Sequence, residues 1–150
     1  MYVDTAILVK LLIREPDSRF YGQGLHGQEE VWSSELAITE CWSALCRKMR
    51  EREITRRIRT GAWTRLDRYG TTGSLHLLPV NREILLEANK LLDRCTPQLP
   101  LRTLDAIHLS SCMSLKAFPL WTNDKRMREA ADYLGLPLGP LPQPGNTRKE

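Results

Sequence analysis

Short apolar runs along this chain alternate with longer stretches in which apolar residues recur every three or four positions. MYVD opens as a strand and TAILVKLLI continues as a helix, which Glu15-Pro16-Asp17-Ser18 breaks; a second helical stretch reaches about Leu25. Ser33 or Ser34 is the expected cap of the next helix, running to about Arg52. Ile54, Ile58, Ala62, Leu66 and Tyr69 form a stripe that predicts another helix, ended by a turn over Gly70 to Gly73. SLHLLPV (74–80) reads as a strand, and Asn81 as the cap of a helix carrying Ile84, Leu85, Ala88, Leu91, Leu92 and Cys95. After Pro97 and Pro100, Thr103 is expected to cap a helix through about Leu115. FPLWT (118–122) predicts a strand, Asn123-Asp124 a helix to Leu134, and Leu136-Pro137-Leu138 a last short strand. Strands that alternate with helices predict a parallel sheet covered on both faces, a three-layer α/β/α sandwich. Residues 1–138 make one such domain, and 139–150 a loose tail rich in Pro and Gly. Ligands of such sheets sit beyond the carboxyl ends of the strands.

One position spoils an otherwise apolar stripe. Leu36, Ala37, Glu40, Cys41, Ala44 and Leu45 share a helix face, and the third of them is a carboxylate. Burying an unpaired charge costs several kcal/mol, so Glu40 is expected to have a partner, an arginine or a cation, unless the stripe is shifted by one position. Three further acids fall where strands give way to helices or on inward faces. Asp4 ends the first strand, Asp124 follows FPLWT, and Asp105 shares a face with Leu101, His108, Leu109 and Cys112. Taken singly, Asp4 and Asp124 read as helix N-caps worth about 1 kcal/mol each. Asp105 alone reads as a charge at the positive end of its helix. Taken together, four converging carboxylates repel unless a cation offsets their field, and hard divalent Mg²⁺ suits oxygen donors. Thr5 and Thr122 stand beside the acids as hydroxyls able to orient a carboxylate or a water. Either is equally a local backbone hydrogen bond. His108, three residues after Asp105, is expected to pack nearby rather than to hold metal.

Composition narrows the field without choosing a function. The 150 residues carry 41% hydrophobic and 27% charged side chains and a formal charge of +4, an ordinary soluble domain compatible with a polyanion. No apolar run approaches the roughly 18 residues a membrane span needs. The start, with Asp4 and no basic segment, does not resemble a signal peptide. Cys41, Cys46, Cys95 and Cys112 form no C-x-x-C pair and are expected as free thiols in a reducing cytoplasm, not as a zinc site.

DTAILVKLL, SSELAITECWSAL, LRTLDAIHL and WTNDKRM, in that order, resemble the PIN-domain nucleases, and among them the VapC-type toxins of prokaryotic toxin–antitoxin pairs. The resemblance spans residues 1 to about 138. It implies an acidic cleft holding Mg²⁺, with Mn²⁺ as a substitute, and hydrolysis of RNA phosphodiesters that leaves a 5′-phosphate and a 3′-hydroxyl. The acids that match are Asp4 (with Thr5 beside it), Glu40, Asp105 and Asp124. A homodimer and a small antitoxin that blocks the cleft are also implied.

RNA would need a basic rim around such a cleft. Lys125 and Arg126, next to Asp124, are the best placed. Arg47, Lys48, Arg50, Arg52, Arg56, Arg57, Arg59, Arg65, Arg68 and Arg128 are further candidates, each of which also reads as a solvated helix face. Trp32, Trp63 and Trp121 are expected in the core; Trp42 lies off the Glu40 stripe, where a partner would meet it. Two other readings stand beside the nuclease. A non-catalytic PIN-like module binding RNA or protein would not need four acids. A phosphotransferase with Asp4 as nucleophile would favour a second aspartate at position 6, which is alanine.

Overall fold

The computed structural model describes residues 1–143. Its elements are β1 (Tyr2–Val3), α1 (Thr5–Leu12), α2 (Ser18–Leu25), β2 (Trp32–Ser34), α3 (Leu36–Arg50), α4 (Arg56–Thr71), β3 (His76–Leu78), α5 (Arg82–Cys95), α6 (Thr103–Leu115), β4 (Leu120–Trp121) and α7 (Lys125–Tyr133). The four strands form one wholly parallel sheet in the order β3-β2-β1-β4. Leu138 bridges Leu120 in parallel, so the expected last strand is a single pairing beyond β4.

Strand alternation sends neighbouring side chains into opposite cores, because successive residues of a strand face opposite ways. Tyr2 and Leu120 pack with α5, α6 and α7 around Ile84, Ala106, Leu109 and Ala130. Val3 and Trp121 pack with α1 to α4 around Ile7, Tyr21, Cys41, Leu45 and Leu66. The result is the three-layer sandwich that the alternation of elements predicts. The four cysteines are free, and three of them are buried.

The main correction concerns Ser33 and Ser34. They are not helix caps outside the sheet but part of β2, a strand between β1 and β3 that the sequence reading omitted. Their hydroxyls disguise them. Ser33 Oγ donates to Val3 O at 2.8 Å, so it is buried without a lost hydrogen bond, and Ser34 Oγ accepts from Leu36 N at 3.2 Å. Helix α3 ends at Arg50, and Arg52 takes a left-handed φ of 60°. Thr103 does not cap α6 either. It is the first helical residue, and the Asp105 carboxylate reaches back to accept from Arg102 N at 3.3 Å. The other caps fall as expected: Asp4, Asn81 and Asp124 each accept from first-turn backbone N–H groups.

Residues 139–143 of the expected tail are described and 144–150 lie outside the described residues. Gly139 donates its N–H to Leu120 O at 2.8 Å and lies against the Trp121 ring, whose other end meets Gly24 of α2. A Cβ at Gly24 would stand 2.3 Å from Trp121 Cη2, on a rigid ring with no room to retreat. Gly24→Ala is therefore expected to destabilise the fold by about 1–3 kcal/mol through overpacking. Urea unfolding followed by circular dichroism measures it; an unchanged midpoint would contradict this packing.

Candidate active site

The strand order reverses direction between β1 and β4, and there the carboxyl ends of the sheet open into a crevice. Asp4 leaves β1 at this point, and Thr122, Asn123 and Asp124 leave β4. Glu40 enters from α3, Asp105 and His108 from α6. All of these except Thr122 line one open cleft of about 580 Å³, together with Thr5, Val9, Lys10, Glu15, Ser43, Arg47 and Lys48. The four sequence-predicted acids thus share one cavity.

Each acid is held differently. Asp4 is 2% exposed; its Oδ1 accepts from Ile7 N at 2.9 Å and its Oδ2 from Thr122 Oγ1 at 2.5 Å. Thr122 Oγ1 in turn accepts from Asp124 N at 3.0 Å, so one hydroxyl links two of the acids. Asp124 Oδ1 accepts from Arg126 N and Met127 N. The protein partner of Glu40 is a histidine, with no arginine paired to it among the described residues. His108 Nε2 donates to Glu40 Oε2 at 2.7 Å, and Thr5 Oγ1 donates to the same oxygen at 2.5 Å. The other ring nitrogen, Nδ1, meets Tyr2 Oη at 2.8 Å.

Burial raises the Asp4 carboxyl above its ordinary range, against the Thr122, His108 and Ile7 interactions that favour its charge, and Asp124 adds repulsion. Burial and then the charge of Asp124 raise Asp105 as well. Glu40 goes the other way: burial would raise it, but the bond and charge of His108, with the Thr5 hydroxyl, hold it low.

Among the described residues, no lysine or arginine forms an ion pair with Asp4, Glu40, Asp105 or Asp124. Glu40 Oε1, Asp105 Oδ1 and Asp124 Oδ2 accept no hydrogen bond there. These all-oxygen, unneutralised donors fit a hard cation. No three Asp, Glu, His or Cys groups among the described residues are close enough to enclose an ion unaided. A cation here would draw the rest of its shell from water and substrate, the habit of Mg²⁺.

The basic rim is thinner than the sequence suggests. Arg59 lies over the Trp42 ring, 4.9 Å from its centroid, Arg65 donates to Leu12 O, and Arg128 donates to Thr122 O and Gly139 O. These three guanidiniums serve the fold. Lys48 reaches the cleft but is paired with Glu15 and Glu53 at 2.9 and 2.8 Å. Lys10, which sequence reasoning missed, lines the cleft held by Glu15 and Asp17. Its place on the strip Thr5, Ala6, Val9, Lys10, one face of α1, was the available signal. Arg47 and Lys125 are well exposed, and Arg126 is half-buried with an Nε that has no hydrogen-bond partner. Trp42 is exposed, edge-on to Trp63 at 4.9 Å.

A parallel sheet between two helical layers, with an acidic crevice at its switch point, is the architecture of a three-layer α/β protein. The chain belongs to the PIN domain family, whose sequence profile matches residues 1–133. It is 36% identical over 138 residues to Ribonuclease VapC46 of Mycobacterium tuberculosis, which covers 91% of this chain and 93% of that one. Two solved structures share the fold. The sarcin–ricin loop cleaving toxin VapC20 of Mycobacterium tuberculosis matches with a TM-score of 0.67 at 15% identity, over 86% of this chain and 93% of that one. A toxin–antitoxin complex from Klebsiella pneumoniae matches at 0.53 and 16% identity, over 83% and 88%. Among the described residues, no helix is long and apolar enough to cross a membrane.

The raised Asp105 carboxyl makes a pH-dependent prediction. Folding favours its protonated form, so its contribution to stability is present below the ordinary aspartate pKa and lost as pH rises through the raised value. Asp105→Asn keeps an acceptor for Arg102 N–H and removes the charge. In chelator it is expected to melt above wild type at neutral pH, with the gap closing as pH falls toward about 4. Differential scanning calorimetry across pH checks this; a gap that widened on acidification would refute it.

Proposed function

We propose that this PIN-domain protein is a divalent-metal-dependent endoribonuclease and the toxin of a toxin–antitoxin pair. The observation that carries the reading is the set of four acids in one crevice at the switch point, none of them ion-paired to a lysine or arginine among the described residues. Similarity to Ribonuclease VapC46 supports the substrate class, and the fold shared with a Klebsiella pneumoniae toxin–antitoxin complex is compatible with the biological class.

Asp4, Glu40, Asp105 and Asp124 are the residues that would hold Mg²⁺ or Mn²⁺. A divalent ion, when bound, supplies the positive charge that activates water and stabilises phosphate oxygens during hydrolysis. The chain's own contribution is placement. Thr122 fixes Asp4 and the start of α7, Thr5 and His108 fix the Glu40 carboxylate, and Arg102 N–H anchors Asp105. Lys125 and Arg126, next to Asp124 in the chain, suit the RNA backbone, and Arg47, which lines the cleft from α3, joins them. The same reading includes a cognate antitoxin and a homodimer in the cytoplasm. Exposed Ile38, Trp42 and Ile58 on α3 and α4 are apolar groups of the kind such contacts cover.

Mixed ribosomal and transfer RNA incubated with the full chain and Mg²⁺ or Mn²⁺ is expected to gain new 5′-phosphate ends, detected by sequencing, and none in chelator. Asp4→Asn and Glu40→Gln are each expected to lower the rate by about 100-fold or more, the scale of losing an electrostatic group at a reaction centre. Both should keep a wild-type circular dichroism spectrum. Folded variants that cut at the wild-type rate would end the assignment.

A further inference from the structure

We propose that Tyr2 and His108 form a strut that holds the Glu40 carboxylate in register with Asp4, making both positioning residues for the cation site. This rests on the reading of these acids as cation holders.

Glu40 reaches the cleft on three rotatable bonds from mid-helix, and an unrestrained carboxylate there would sample many positions. Fixing such a side chain costs about 1.5–2 kcal/mol of rotamer freedom. Two donors on Oε2 fix it, His108 Nε2 at 2.7 Å and Thr5 Oγ1 at 2.5 Å, and leave Oε1 for the cleft. The imidazole is itself immobilised. It is 2% exposed, its Nδ1 meets Tyr2 Oη at 2.8 Å, and the Tyr2 ring stands edge-on at 5.9 Å between centroids. An apolar side chain would fill the same pocket without the desolvation cost of two ring nitrogens. A histidine there, with both nitrogens bonded, is explained by what it holds.

Tyr2 in turn belongs to the strand that delivers Asp4. Tyr2 N donates to Pro119 O and Asp4 N to Trp121 O, both at 3.1 Å, so the chain next to β4 pins both residues. One rigid segment thereby sets one acid directly and a second through two side chains. In sites where an outer partner orients a metal-holding side chain, its loss typically weakens metal binding by about 10–100-fold.

The test is calorimetric titration of Mn²⁺ into the full-length metal-free chain, with melting of each variant recorded in chelator. Glu40→Gln and His108→Phe are expected to weaken Mn²⁺ binding by about 10–100-fold. Tyr2→Phe, which loses one neutral hydrogen bond, should weaken it by about threefold to tenfold. His108→Gln offers an amide N–H in place of Nε2–H and is expected to restore binding to within about threefold of wild type. A purely structural role would lower the melting temperature and leave Mn²⁺ affinity unmoved. Should His108→Phe not fold, Tyr2→Phe and His108→Gln carry the test. Wild-type affinity in Tyr2→Phe and His108→Phe, beside impaired Glu40→Gln, overturns the strut and spares the cation reading. Absence of Mn²⁺ binding by the wild type overturns both.

Discussion

Negative charges crowded into a half-dry crevice repel one another, and the site is organised around that repulsion. Burial lifts Asp4 and Asp105 above the ordinary carboxylate range, and the charge of Asp124 adds to each. No lysine or arginine among the described residues relieves them by direct pairing. What holds them is a set of short, directed hydrogen bonds from Thr122, Thr5, His108 and backbone N–H groups. Such bonds fix position without cancelling charge, which keeps the crevice attractive to a cation. A lysine pairing with Asp4 would give a calmer interior and a site already filled.

Four consecutive residues carry an unusual share of this arrangement. Tyr2 reaches back to His108, Val3 anchors the opposite core, Asp4 caps α1 and faces the crevice, and Thr5 holds Glu40. Strand alternation makes the division possible, since Tyr2 and Asp4 leave β1 with the same parity and Val3 with the other. The cleft is thus an extension of the pleat of one short strand.

Much of this was legible in the linear sequence, for reasons that differ between elements. Helix α4 announces itself through its apolar period, α7 through the Asp124 cap, and α5 through both. Glu40 stood out because a charge on an apolar stripe demands an explanation. Its partner is hidden in the sequence: Glu40 and His108 are 68 residues apart, and only the fold brings them together. Strand β2 is hidden in the sequence because its serines satisfy their hydroxyls against neighbouring backbone and so resemble caps. The basic rim was overcounted because an arginine's tendency to bind carbonyls or stack on indole, as Arg128, Arg65 and Arg59 do here, leaves no mark on spacing.

The short crossing at Leu138 has a wider effect. By pairing with Leu120 it covers the outer side of β4, where unsatisfied backbone groups would otherwise invite another chain. At the far border β3 offers only three residues. With one border capped and the other stunted, the sheet is poorly suited to grow by templating. Strand addition thus has little to build on at either border, and recognition of this domain falls mainly to the side chains it displays.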